Sequence, residues 1–271
     1  MKTIYFILLT FVMFPALAQQ SQISQKELAA LYQEMHAAGK GKGKYAALSP
    51  KAQQDSAQAL SRKFEEKFTE LLLQRGNKES APANDLYSIV WPVSSPDYML
   101  TFYNWLIPGQ GKRYTSLVRI QLNNGKVLVQ KISSGNEPIT GACTDERLLR
   151  AYNLPFKNGK YYLVIGTGAH SSLTWYWTAD IFKLEDEKLV RIPGRFELNG
   201  KMVDRIEIEN FSNLSFDLEY DPDKQELVHH YYGIPVVYNP PPSDIERERQ
   251  KKAARKMKWV ISGEVFRHFI K

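Results

Sequence analysis

Two hydrophobic periods divide the chain. In the first part, apolar side chains recur every three to four positions, at Leu28, Leu31, Tyr32 and Met35 and again at Leu60, Phe64, Phe68, Leu71 and Leu72. That spacing gathers each set on one helix face, so residues 24–75 predict two helices. The start signals agree: Ser24 with Glu27 forms a capping box, and Ser49-Pro50 sets an N-cap before a proline at the first helical position. From Leu86 the period falls towards two. Leu86–Val93, Tyr98–Ile107, Arg113–Leu122, Lys126–Ile132, Lys160–Gly166, Thr174–Leu184, Lys188–Ile192, Val203–Glu209, Leu214–Tyr220 and Glu226–Tyr232 read as short strands. Turn signals part many of them, among them Ser95-Pro96-Asp97, Asn123-Asn124-Gly125, Asn158-Gly159, Asn199-Gly200 and Asp221-Pro222-Asp223. One short helix is expected at Asp145–Tyr152.

Strands this close, without long helices between them, predict a mainly β (α+β) fold of antiparallel sheets preceded by an N-terminal helical pair. A sandwich, an open barrel and propeller-like sheets all fit the pattern. Asn-Gly-Lys occurs at 124, 158 and 199, but its flanks do not repeat, which reads as three separate hairpin turns rather than blades. After Pro240-Pro241-Pro242, a third capping pattern at Ser243-Asp244-Ile245-Glu246 opens a charged helix to about Lys256, and Trp259–Phe269 reads as a closing strand pair. The domain division is therefore a signal peptide at 1–18, the helical pair at 19–80, and an antiparallel β domain at 86–271 with a basic helical insertion at 243–257.

The signal reading rests on Lys2, the apolar run Thr3–Phe14 and the small-residue site Pro15-Ala16-Leu17-Ala18, with cleavage expected between Ala18 and Gln19. The run is well short of the roughly 20 residues that cross a membrane, so no membrane span is expected. Gln19 and Gln20 stand where a lipoprotein would carry its cysteine. An exported protein, periplasmic or secreted and free in solution, is expected. Cys143 is the only cysteine, so no intramolecular disulfide can form and the core must carry stability.

Charge changes the picture less than it first suggests. The chain is +7 overall, but residues 243–258 hold seven Lys/Arg against three acids. Basicity is thus local, which argues against a nucleic-acid-binding face spread over the protein. Fifteen Tyr, thirteen Phe and five Trp favour strands over disorder.

Several strand segments carry a resemblance: Ile89-Val90-Trp91-Pro92-Val93-Ser94-Ser95-Pro96-Asp97, Leu100–Trp105, the Tyr161–Leu184 block, Tyr220-Asp221-Pro222-Asp223-Lys224-Gln225-Glu226-Leu227, and the Trp259 strand. This text resembles a group of uncharacterised exported β-rich proteins of Bacteroidota, over roughly residues 86–238 plus the C-terminal strand. The resemblance implies export and a β-rich domain and brings no functional residues with it. Gly109-Gln110-Gly111 departs from the glycine pair that such proteins often carry after the aromatic strand.

Among candidate sites, Gly166-Thr167-Gly168-Ala169-His170-Ser171-Ser172 reads as a compact polar loop leading into Thr174-Trp175-Tyr176-Trp177. Alternation puts Trp175 and Trp177 on one strand face, a stacking platform for a sugar or aromatic ligand if exposed, and ordinary core if not. His170, Ser171, Ser172, Trp175 and Trp177 are accordingly the expected ligand-binding residues. No G-x-S-x-G elbow surrounds Ser171, and nothing near Cys143 marks it as a nucleophile. His229 and His230 should point to opposite faces, so with His170 and Asp180 they make a poor metal set. Asp217 and Glu219 share a face, the residue type that glycoside hydrolysis uses and that surface strands also carry. Gly39-Lys40-Gly41-Lys42-Gly43-Lys44 fails the phosphate-loop pattern, because Tyr45 stands where Ser or Thr would bind magnesium, and reads as a solvated loop.

No cofactor, metal or catalytic residue is therefore expected, and no pattern sets an oligomeric state. The expected function is a non-catalytic β-domain of the cell envelope that binds a glycan or an envelope component. A polysaccharide hydrolase is the alternative.

Overall fold

The computed structural model describes residues 24–75, 86, 88–109, 113–132, 146–169, 174–211, 215–233, 243, 245, 248 and 257–269. The signal segment, Cys143, the proline run and nearly all of the 243–257 insertion lie outside the described residues.

Both helices form where their stripes demanded. Helix α1 spans Gln25–Gly39 and opens on the Ser24/Glu27 capping box with both reciprocal hydrogen bonds made. Helix α2 spans Pro50–Arg75, with the Ser49 hydroxyl accepting from the Ala52 N–H. Between them the Gly-Lys segment is tied down: a 3-10 turn at Gly43–Tyr45 lets the Lys44 ammonium and Tyr45 hydroxyl both donate to Glu34.

Three sheets follow. The helix-side sheet is a meander of β1 (Trp91–Ser94), β2 (Leu100–Ile107), β3 (Arg113–Gln121) and β4 (Val127–Ile132). The central sheet is built from β5 (Glu146–Leu154), β6 (Lys160–Ala169), β7 (Thr174–Glu185) and β11 (Arg205–Phe211) in the order β11-β7-β6-β5, with β8 (Lys188–Arg191) paired to β7. The outer sheet contains β9 (Phe196–Leu198), β10 (Lys201–Val203), β12 (Ser215–Asp221), β13 (Glu226–Gly233), β14 (Lys258–Ser262) and β15 (Val265–His268), ordered β10-β9-β15-β14-β13-β12. Among the described residues every pairing is antiparallel except one parallel contact, Phe266 with Phe196. Among the described residues none of the sheets closes on itself.

Alternation explains the stacking. Tyr103, Trp105, Ile107 and Leu117 turn one face of the helix-side sheet onto Leu28, Met35, Phe64 and Phe68. The rings interlock, with Phe64 and Trp105 centroids 5.2 Å apart and Phe68 edge-on to Tyr103 at 5.3 Å. The helical stripe is thus buried. Leu100, Phe102, Val118 and Ile120 face the other way, onto Tyr162, Val164 and Phe182 of the central sheet. Leu163, Ile165, Ala179 and Ile181 then meet Leu218, Tyr220, Leu227, Trp259 and Phe266 of the outer sheet.

Two side-chain amides lock the first of these sheet interfaces. Asn104 is fully buried and uses its whole hydrogen-bonding capacity: it donates to the Trp91 and Leu148 carbonyls and accepts from the Ser116 hydroxyl and the Leu148 N–H. Gln130 in β4 does the same for Leu189 of β8, donating to its carbonyl at 2.8 Å and accepting from its N–H at 2.9 Å. Each amide imitates a neighbouring strand's peptide group and satisfies an edge that would otherwise be orphaned.

The segment expected to be helical at 145–152 is strand β5. A bulge between Leu148 and Arg150 shifts the phase, so buried Leu148, Ala151 and Leu154 fall three residues apart and imitate a helix stripe. Likewise the Leu86–Val93 run begins as a turn, in which Ile89 and Val90 donate to the Leu86 carbonyl, and becomes strand only at Trp91. Strands β9 and β10 flank Asn199-Gly200, whose φ values of 52° and 76° suit a tight hairpin.

Candidate functional site

The central sheet changes character along its length. Towards the β5–β6 hairpin its helix-side face is apolar, but towards the β6–β7 connection the same face carries Glu146, Gly166, Gly168, Thr178, Asp180 and Arg205, in adjoining register positions. Gly166, expected where the strand gives way to the polar loop, lies within β6. A Cβ there would stand 2.9 Å from the Thr178 hydroxyl, so only glycine admits the close approach of these strands' side chains. Of the expected polar loop, Thr167, Gly168 and Ala169 belong to β6, and residues 170–173 lie outside the described residues.

Over this glycine floor lies a charge network from four strands. One Arg205 Nη donates to both Glu146 oxygens, at 2.7 and 2.9 Å, and to Asp180 at 3.0 Å. Arg191 of β8 pairs with the other Asp180 oxygen at 3.1 Å. Both acids are buried, at 4% and 3% exposure, so neither is a rim ornament. Burial pushes both carboxyls above the ordinary carboxylate range, while Arg205 pulls them back, helped at Asp180 by Arg191. Arg205 is raised: desolvation alone would lower it, and the two carboxylates outweigh that. The two buried acids are each matched by arginine, the condition under which such charges stay buried, and the exposed carboxylate of Glu207 adds to the field at Arg205.

Trp175 and Trp177 share the opposite face, as alternation required, with Tyr176 buried on the network side. Both tryptophans are half-buried. Trp177 packs against the edge of the core between the central and outer sheets, and Trp175 stands one step nearer the strand's start. The Thr167 hydroxyl, in the row beside Trp177, is held by the Tyr176 carbonyl at 2.9 Å. His170, Ser171 and Ser172 lie outside the described residues.

The other sequence candidates are placed elsewhere. Asp217 meets Arg150 across the gap between central and outer sheets in a two-pronged ion pair, at 2.7 and 2.8 Å, and Arg150 also donates to the Leu218 carbonyl. Glu219 is exposed and makes no ion pair with Arg150 among the described residues, though its charge adds to that of Asp217 in raising Arg150. His229 is buried while His230 is half-exposed on the other face, and burial, with the charge of His230 adding to it, lowers His229 to about 4. Among the described residues no three His, Cys, Asp or Glu side chains converge as a metal cage, and no helix is long and apolar enough to cross a membrane.

The network of Glu146, Asp180, Arg191 and Arg205 escaped the sequence reading because its members come from four strands. A glycine pair inside a strand was the one available signal. Comparison with protein-family models, with curated proteins and with solved structures found no match to this chain.

Proposed function

We propose that this protein is an exported, non-catalytic β-domain that binds a glycan or envelope component at the β6–β7 end of its central sheet, with Trp175 and Trp177 as the stacking surface. The observation that carries this reading is their placement: two half-exposed indoles on one strand face, one held by the core edge and so pre-ordered. The acids support it from the other side. Glu146, Asp180 and Asp217 are each held by arginines, whereas a hydrolase needs a carboxyl free to give or take a proton at the substrate.

Binding to a panel of envelope and dietary glycans tests it. Wild-type protein should bind at least one of them, and Trp175→Ala should lose about tenfold or more of that affinity. Absence of binding across the panel, or full binding by Trp175→Ala, removes the reading. Export is tested separately, by finding Gln19 as the first residue of the mature protein.

One observation favours the hydrolase alternative: two buried carboxyls, both raised, touch the same guanidinium nitrogen. Glycan cleavage by wild-type protein that disappears in a folded Glu146→Gln variant would establish it.

A further inference from the structure

Arg147 is the charge that the neighbouring ion pairs leave over. On either side of the β5 edge the cations are matched: Arg205 and Arg191 with Glu146 and Asp180, Arg150 with Asp217. Arg147 has no carboxylate or hydrogen-bond acceptor among the described residues. Its guanidinium instead lies 4.5 Å over the Trp91 ring, and Trp91 meets Tyr114 edge-on at 6.1 Å. Its Nε–H is buried without an acceptor.

The site is also built to hold its shape. Asn104 grips the Trp91 carbonyl and both peptide groups of Leu148, the residue after Arg147. One buried side chain therefore fixes the backbone on both sides of the cation–ring stack. Three strands from two sheets converge, β1 with Trp91, β3 with Tyr114 and β5 with Arg147. The residues half-exposed there are an indole, a phenol and a guanidinium.

We infer that Arg147, stacked on Trp91 beside Tyr114, is an anion-recognition site that takes the carboxylate of an acidic ligand. A stacked guanidinium keeps its full charge, and its two Nη groups carry parallel N–H donors that match the two oxygens of a carboxylate, while the buried Nε–H stays behind them. Stacking on Trp91 holds those donors in one orientation before the ligand arrives. The choice of a sugar as carrier rests on the glycan reading above, and the ligand class is then a uronic-acid glycan. The anion site itself does not depend on Trp175 or Trp177.

The test is calorimetric titration of the purified protein with an oligogalacturonide, a neutral oligosaccharide of equal length, and acetate. Wild-type protein should prefer the acidic glycan to the neutral one, with binding weakened by salt. Arg147→Gln should lose about tenfold or more of the acidic affinity, and Arg147→Lys, which keeps the charge but loses the fork, should fall between. Acetate binding that needs Arg147 would place the recognition in the carboxylate alone. Thermal midpoints report folding; if Arg147→Gln does not fold, Arg147→Lys and the salt dependence of wild-type binding decide. Equal wild-type affinity for acidic and neutral glycans, no binding of either acid, or unchanged acidic affinity in Arg147→Gln would each overturn the inference. Loss of binding in Trp175→Ala with none in Arg147→Gln would overturn this site and keep the stacking surface, and the reverse result would do the opposite.

Discussion

One face of the central sheet is two different materials. Its lower half, with Tyr162, Val164 and Phe182, is filled with rings and branched chains that meet Leu100, Phe102 and Val118 directly. Its upper half sets Gly166 and Gly168 beneath Glu146, Asp180 and Arg205, so charge occupies the volume that apolar side chains fill below. The apolar half needs only fit, whereas the charged half stays buried only while every member is matched. The proposed binding surfaces fall on one side of this contrast. The tryptophan pair and the stacked Arg147 both belong to the charged, glycine-bearing end, where strand ends and connections gather.

The largest effect should come from unbalancing the charged half. Arg205→Met removes the ion pair of Glu146 and one of the two made by Asp180, and should cost about 3 to 5 kcal/mol in urea unfolding. A cost below about 1 kcal/mol would show the network to be expendable.

Acid should act at a different place. His229 is lowered to about 4 from an ordinary value near 6.5, so the unfolded chain takes the proton first. Its contribution is present above the ordinary value and is lost as pH falls towards about 4, by up to about 3 kcal/mol. The raised carboxyls of Glu146 and Asp180 run the other way, their contribution being present at low pH and lost as pH rises through their folded values. The urea midpoint should therefore drop between about pH 7 and 4.5 in wild-type protein and drop less in His229→Leu. An identical drop would remove His229 from the account.

Asn104→Ala should cost about 2 to 3 kcal/mol, because it orphans the Leu148 N–H and carbonyl together. It should also loosen the Arg147 stack, visible as a shift in Trp91 fluorescence. At the small end, Asp217→Asn should cost no more than about 1 kcal/mol, since Arg150 is a third exposed and water screens the pair. A larger loss would mean that the bridge to the outer sheet is tighter than its exposure implies.

Legibility in the sequence followed locality. Both helices, their caps and most strands were readable because Ser24, Glu27 and the Leu28–Met35 stripe act within a few residues of one another. Strand β5 was not, because a single bulge turned an alternating pattern into one of threes. Trp175 and Trp177 could be placed on a common face from alternation alone, but their half-exposure depends on the neighbouring outer sheet. Asp217 looked like half of an acid pair beside Glu219, and its actual partner, Arg150, stands 67 positions away. Asn104 and Gln130 gave no sign of their clamping role, which needs a second sheet to exist.

The central claim is that ligand meets the glycine-bearing end of the central sheet. Indole N–H signals in a nitrogen-labelled sample report on all five tryptophans at once. Titration with the best-binding glycan should move Trp175 and Trp177, and Trp91 too if the glycan is acidic, while fully buried Trp105 and Trp259 stay still. Shifts confined to Trp105 or Trp259, or no shift at saturating ligand, would contradict the account.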